Sequence, residues 1–292
     1  MNKNKLRPLI FGEVLFDHFP DGSKVLGGAP FNVAWHLQAF GHAPLFVSSV
    51  GDDIEGEQIK AAMHTWGMDV DGLQTNTQHA TGNVDVSFSD GEPQYDIVFP
   101  RAFDFIDSKL LPQLSDNFLV YHGSLALRDT TSTAALAEVF RRTQAPVFVD
   151  VNLRQPWWDM GRIKQMLSHA YWIKLNSDEF KLIAPESNAY SNQTFTNQHG
   201  GFIALTRGSK GASLISEEKT ETIVPQHATN FVDTVGAGDA FCSVLLTGII
   251  RDWPLDMTIT RAQDFASAVV GIRGATSTDP KFYQRFLDAW RD

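Results

Sequence analysis

Short apolar runs that alternate with amphipathic stretches constrain this chain more than any other feature of its sequence. Leu9–Phe11, Leu45–Val50, Phe118–His122, Val147–Val151, Tyr171–Leu175 and Phe202–Thr206 each read as a buried strand. Between most of them lie helix-like stretches, Phe31–Phe40, Ile54–Trp66, Thr131–Arg142 and Gly161–His169. A strand that is apolar on both faces must be covered on both, and parallel strands need connections long enough to hold a helix. The alternation therefore predicts an α/β fold, a mostly parallel central sheet with helices on both faces. From Asp239 onward the pattern is helical, over Phe241–Ile250, Met257–Ile272 and Phe282–Trp290. At 292 residues and 43% hydrophobic, with no repeat, low-complexity tract or linker, the expectation is one domain spanning 1–292.

Two stretches break the alternation. Asn83–Phe99 reads as two period-2 strands around a Ser-Asp-Gly turn, and Val14–Lys24 is extended with a Pro-Asp-Gly turn at Pro20–Gly22. Segments 13–26 and 82–100 are expected to form a small β-sheet projecting from the body, either an edge decoration or a lid over a site at the strand ends.

Charge and cysteine content remove whole classes of function. A net charge of −10 argues against nucleic-acid or anionic-membrane partners, while leaving room for a local phosphate pocket. The seven tryptophans are too dispersed for a base-stacking platform. A single cysteine, Cys242, excludes an intrachain disulfide and a multi-cysteine zinc site, and the nine histidines contain no H-E-x-x-H. With neither a secretory pattern at the start nor an apolar run long enough for a bilayer, a reducing cytoplasm is the expected compartment.

The chemistry concentrates in a few segments. Asp233–Phe241, DTVGAGDAF, places Gly236, Ala237 and Gly238 at the start of an apolar helix. Such a turn presents unpaired N–H groups at the positive end of the helix dipole, an anion site by construction. Asp239 in the first helical turn reads either as a helix-favouring acid or as a general base for a hydroxyl attacking a phosphoryl group. The run is neither a dinucleotide fingerprint nor a P-loop. Gly27 and Gly28 make a flexible turn before another helix, with Asn32 in its first turn and Asp17 upstream; both side chains suit a polyhydroxylated ligand. Asn176 and Glu179 fall on one face at a helix start, a pattern that caps a helix or holds a hydrated Mg²⁺. Thr206–Gly211, TRGSKG, reads as a plain hairpin turn before the strand Ala212–Ser216, and equally as a loop with room for a nucleotide. In Asp150–Trp158, DVNLRQPWW, Arg154 is either a structural ion-pair partner or a fork for a transferring phosphoryl group. Arg101, at the exit of the hairpin, is a candidate sugar or phosphate contact.

DTVGAGDAF resembles the C-terminal signature of the PfkB (ribokinase-like) carbohydrate kinases, and GGAPFNVAWHLQAFG at Gly27–Gly41 resembles their N-terminal signature. Their order and separation fit that family, and the similarity spans essentially the whole chain. The resemblance implies a ribokinase-like fold with a β lid and an ATP-dependent kinase acting on a small sugar. It implies Asp239 as base, the Gly236–Gly238 turn as anion hole, and a sugar pocket of Asp17, Gly27, Gly28 and Asn32. Thr206, Gly208 and Gly211 match the family's nucleotide loop, and Asn176 and Glu179 its N-x-x-E element for Mg²⁺ and phosphate. Part of the family uses a monovalent cation near the second signature, where Asp233 and Gly271–Ala275 lie, so K⁺ is implied there. The lid often mediates homodimers in this family. The D-x-N-x-R-x-x-x-W pattern is similar to the fructokinase branch, with Val151 in place of the usual proline, and points to fructose as acceptor. 2-Keto-3-deoxygluconate, ribose or a nucleoside are the alternatives; a non-catalytic sugar-binding regulator would be expected to have lost Asp239 or its turn.

Overall fold

The computed structural model describes residues 6–89, 92–184, 201–225 and 235–291. The chain runs through β1 (Arg7–Phe11), β2 (Leu15–His18), β3 (Lys24–Gly27), α1 (Ala29–Ala39), β4 (Leu45–Gly51), α2 (Ile54–Thr65), β5 (Leu73–Asn76), β6 (Gly82–Ser89) and β7 (Glu92–Ile97). It continues with β8 (Phe118–His122), α3 (Thr130–Arg142), β9 (Val147–Asp150), α4 (Met160–Ser168), β10 (Trp172–Asn176) and α5 (Ser177–Ile183). The last part holds β11 (Ile203–Thr206), β12 (Ala212–Ile215), β13 (Thr220–Ile223), α6 (Ala237–Arg251), α7 (Leu255–Val269) and α8 (Pro280–Ala289).

Nine strands form one sheet in the order β13-β12-β11-β10-β9-β8-β1-β4-β5. From β11 to β5 every pairing is parallel, and β12 and β13 add an antiparallel edge. Alternate side chains of each apolar run go to opposite faces, as strand geometry requires. Ile10, Phe46, Tyr121, Phe148 and Trp172 join the core under α1, α6, α7 and α8. Leu9, Phe11, Val47, Val120, Val149 and Ile173 join the core under α3, α4 and α5. This is the mostly parallel sheet covered by helices on both faces that the alternation predicts.

The second sheet has four strands in the order β3-β2-β6-β7, with β2 and β6 parallel and the outer pairs antiparallel. The extended stretch from Val14 resolves into two strands, because the turn at Pro20–Gly22 folds β3 back along β2. Two main-sheet strands carry no apolar signal: β5, Leu-Gln-Thr-Asn, and β13, Thr-Glu-Thr-Ile, both sit at sheet edges with side chains partly in solvent.

Arg128 fastens the small sheet to the body. Its guanidinium donates to the Asp104 carboxylate at 2.6 and 2.8 Å and to the carbonyls of Ile97 and Val98 at the end of β7. It also lies over the rings of Phe99, Phe103 and Trp157, which complete a sandwich of flat surfaces suited to a planar cation. The pair is almost wholly dry, with 1% and 0% of the two side chains exposed. Removing one partner of such a pair leaves an uncompensated buried charge, so Arg128→Met should lower unfolding stability by about 3–5 kcal/mol. Urea denaturation of the two proteins, compared at fixed pH, measures it.

No helix among the described residues is long and apolar enough to cross a membrane.

Candidate active site

In parallel sheets, ligands bind beyond the carboxyl ends of the strands, and this edge gathers the segments that the sequence singles out. Helix α6 begins here. Gly236 caps it with φ +79°, and a Cβ at that position would lie 2.3 Å from the Cβ of Ala275. Only glycine satisfies both conditions. Residues 237–239 form the first turn, so its orphan N–H groups and the carboxylate of Asp239 share one helix end.

Helix α1 arrives at the same place. Gly28 caps it with φ +105°, and a Cβ there would meet the Glu13 carbonyl oxygen at 2.7 Å. That close approach seats the start of α1 on the connection between β1 and β2. Asn32, one turn on and buried, donates its Nδ2 hydrogen to Asp239 Oδ2 at 2.8 Å. Asn32 Oδ1 is buried without a hydrogen-bond partner, an acceptor left for a hydroxyl. The two glycine-rich segments thus meet through one hydrogen bond. Across the same space, β2 carries Asp17, whose Oδ2 would lie 3.6 Å from a Cβ at Gly27.

Three carboxyls here are pushed upward by burial. Glu13 rises to about 7, opposed by Arg154 and Arg128 and reinforced by the charge of Asp239. Asp17 rises to about 6, with His18 and Arg154 pulling the other way. Asp239 rises to about 6, with the Asn32 hydrogen bond, Lys174 and Arg154 favouring its anion and Asp150 opposing it. Arg154 is exposed, its Nη1 donating to the Leu153 carbonyl, and it makes no ion pair among the described residues. Its field reaches all three carboxyls, so the sequence alternative of a structural ion pair is not what the geometry supplies.

The loop bearing Arg154 is well anchored. Asn152 has φ +38°, a conformation asparagine tolerates better than most residues, and its carbonyl accepts from Ser124 Oγ. The Arg154 carbonyl accepts from the N–H of Trp157, which also packs on Phe99. Glu179 accepts from the N–H groups of Leu153 and Asn176, at 2.9 and 2.7 Å, while Asn176 Oδ1 accepts from those of Asp178 and Glu179. The capping alternative for Asn176 and Glu179 is therefore realised, and Glu179 additionally ties α5 to the Arg154 loop. Those backbone donors leave both side chains suited to a hydrated ion reached through water rather than to direct ligation.

Thr206 lies beside Asn176 in the β10–β11 register, and Gly208–Lys210 form a short 3₁₀ turn before Gly211. Arg207 N–H donates to the Gly211 carbonyl, closing the hairpin between β11 and β12. The hairpin alternative thus holds, and its tip still sits at the carboxyl edge beside Asn176. Arg101, at the exit of the small sheet, donates from Nε to Asn83 Oδ1 at 2.5 Å. Asp233 lies outside the described residues.

Below this edge, Glu13 and Tyr121 were not singled out from the sequence, nor was the pairing of Asp150, there only the first residue of the D-x-N-x-R pattern, with Lys174. The signal that could have found that pairing is a charged residue at equivalent depth in adjacent apolar strands, Val-Phe-Val-Asp and Trp-Ile-Lys-Leu-Asn.

A mostly parallel sheet with an acid in the first turn of a helix at its carboxyl edge, beside a second, smaller sheet, is an arrangement that suits phosphoryl transfer to a small molecule. Residues 6–281 match the family model described as pfkB family carbohydrate kinase. The chain belongs to that family and is an ATP-dependent carbohydrate kinase. It is 28% identical to a fructokinase of Salmonella typhimurium, over 96% of this chain and 97% of that one. It is 30% identical to a putative sugar kinase of Pyrococcus horikoshii, over 87% and 84%. The crystal structure of aminoimidazole riboside kinase from Salmonella enterica, complexed with aminoimidazole riboside and an ATP analogue, superposes with a TM-score of 0.82 at 25% identity. It covers 96% of this chain and 99% of that one.

The raised carboxyls set a pH dependence of stability. As pH rises, the unfolded chain releases the Glu13 proton near 4.5 and the folded one only near 7, so stability is full below the first value and falls until the second. Glu13→Gln removes that loss. It should stabilise the protein by roughly 1–3 kcal/mol at pH 8 and have little effect at pH 4, as read from denaturant midpoints at the two pH values.

Proposed function

We propose that this kinase moves the γ-phosphoryl group of ATP to a hydroxymethyl group of fructose, giving fructose 6-phosphate. The observation that carries the chemistry is the Asn32–Asp239 hydrogen bond at the first turn of α6, which puts a carboxylate and a set of amide donors at one point. With its carboxyl at about 6, Asp239 is largely ionised at pH 7–8, yet basic enough to take a proton from the attacking hydroxyl. Gly236, Ala237 and Gly238 present N–H groups to the charge growing on the phosphoryl oxygens, and Arg154 adds a cation from the facing loop. Asp17, Gly27, Gly28, Asn32 and Arg101 hold the sugar.

The nucleotide lies along the carboxyl ends of β10 and β11, over Thr206, Gly208 and Gly211. Asn176 and Glu179 would hold Mg²⁺ through water, and the ion would supply neutralisation of the phosphate charge. K⁺ is proposed near Asp233; among the described residues of that region, Ala275 packs against Gly236. Residues 1–292 act as one kinase domain, with the small sheet as lid. The inward face of that sheet runs from buried Val84 and Val86 to Phe88 and Tyr95, which are 60% and 56% exposed. A second copy pairing at the lid would cover them. The compartment proposed is the cytoplasm.

Fructose is favoured by the Asp150–Trp158 segment and by the fructokinase name of the Salmonella typhimurium relative. The Asp17, Glu13 and Asp239 carboxyls also disfavour an acceptor that already carries an anion. A second acceptor class, a riboside, is favoured by the superposition on aminoimidazole riboside kinase.

Asp239→Asn should lower turnover on the order of 10²–10⁴-fold while sugar affinity, read by calorimetry, changes far less. Near-normal turnover in that variant would remove Asp239 from the role of base. A coupled ADP-release assay over fructose, ribose, 2-keto-3-deoxygluconate and nucleosides should give fructose the highest kcat/KM. A higher value for any other acceptor reassigns the substrate.

A further inference from the structure

Beneath the first turn of α6 lies a buried ion pair to which the reaction as described gives no part. Asp150 ends β9 and Lys174 is its direct partner in the β9–β10 register, so their side chains leave the sheet on the same face. Lys174 Nζ donates to Asp150 Oδ1 at 3.0 Å, with 8% and 0% of the two side chains exposed. The other carboxylate oxygen of Asp150 accepts from Tyr121 Oη at 3.3 Å and from Cys242 Sγ at 3.4 Å. Cys242 is one turn beyond Asp239 on the same side of α6. Lys174 Nζ in turn would lie 3.4 Å from a Cβ at Gly238, the residue before Asp239. Asp150 thus bonds the second turn of α6, and Lys174 lies beside Gly238 in the first, the turn that bears the proposed base.

A structural account of this pair is incomplete. A buried ion pair contributes little net stability over an apolar replacement, and α6 is otherwise packed by apolar side chains on this face. The pair's location matters more than its existence, because opposite charges close to a third ionisable group act on it with opposite sign.

We propose that the Asp150–Lys174 pair is the electrostatic control of Asp239, its two charges offsetting each other so that the base stays ionised at the working pH. The inference deepens the assignment of Asp239 as general base and rests on it. Both residues are positioning residues that act through Asp239. Other groups face that carboxylate from each surrounding element. Asn32 of α1 donates to it, Glu13 approaches from the β1–β2 connection, and Arg154 from the loop after β9. Tyr121 of β8 and Cys242 of α6 both have proton affinities pushed well up, which keeps them neutral beside it. The Lys174 ammonium is held protonated by the carboxylates of Asp150 and Glu179 against the cost of its burial. Of the groups that act on Asp239, Asp150 raises its proton affinity and Lys174 lowers it.

The test is the pH dependence of kcat/KM for fructose from pH 4.5 to 9, which reports the free enzyme. Asp150→Asn should move the acidic limb down by about one unit and Lys174→Met should move it up by about one unit. The double variant should bring the limb back near its wild-type position, and Lys174→Arg should leave it there. A merely structural pair would lower activity at every pH without moving the limb. A limb that stays put in both single variants, or moves the same way in both, overturns the proposal. If Lys174→Met does not fold, as judged by thermal melting, Asp150→Asn decides alone: a downward shift supports the control and no shift refutes it. Asp239→Asn separates the two layers. Near-normal turnover there defeats the base assignment itself, whereas an inactive Asp239→Asn with unmoved limbs defeats only the ion-pair inference.

Discussion

The amide of Asn32 gives a hydrogen to the carboxylate of Asp239 across 207 positions of chain, and the geometry of the site depends on that contact. It requires two helix starts to meet at one edge of the sheet. Each start is capped by a glycine whose missing side chain allows the approach, Gly28 against the Glu13 carbonyl and Gly236 against Ala275. Neither helix could be displaced by even a side chain's width without parting the donor from the acceptor, since hydrogen bonds weaken steeply with distance and angle. A partly buried carboxylate with one amide partner keeps lone pairs for a substrate proton, and this distinguishes Asp239 from Glu179, whose two oxygens are both engaged by backbone N–H groups.

Around this contact the molecule accepts electrostatic cost. Glu13, Asp17 and Asp239 are all held above their ordinary range by burial, with the field of one exposed arginine shared among them. Such a cluster works against folding at neutral pH and in favour of binding hydroxyls, the usual tension between a stable core and an active cleft. The Arg128–Asp104 pair, sandwiched by aromatic rings, gives the small sheet a rigid attachment to the body.

Much of this organisation is legible in the chain itself. The buried strands and crossover helices follow from runs such as Leu45–Val50 and Phe118–His122, because a strand covered on both faces is apolar along most of its length. The hairpin of β6 and β7 follows from its period-2 pattern. Edge strands escape detection for the converse reason: β5 and β13 are rich in polar residues, several of them in partial contact with solvent, and look like loops. Among site residues, Asp17, Asn32, Asp239 and Arg154 could be proposed from local pattern and family resemblance, but Asn176, Glu179 and Thr206–Gly211 were each readable in two ways. Geometry realises the cap and the hairpin.

By itself, then, the amino-acid order determined the periodicities, the turns that demand glycine and the kinds of chemistry available, since all of these are properties of neighbouring residues. Which distant groups share a space was decided only by tertiary packing. Nothing near Asp150 in the chain names Lys174 as its partner; the parallel register of β9 and β10 does, and only the seating of α6 on that face turns the pair toward Asp239. Electrostatic coupling falls with distance in space and is indifferent to distance along the chain. A buried charge network is therefore the part of a site that a linear reading meets last.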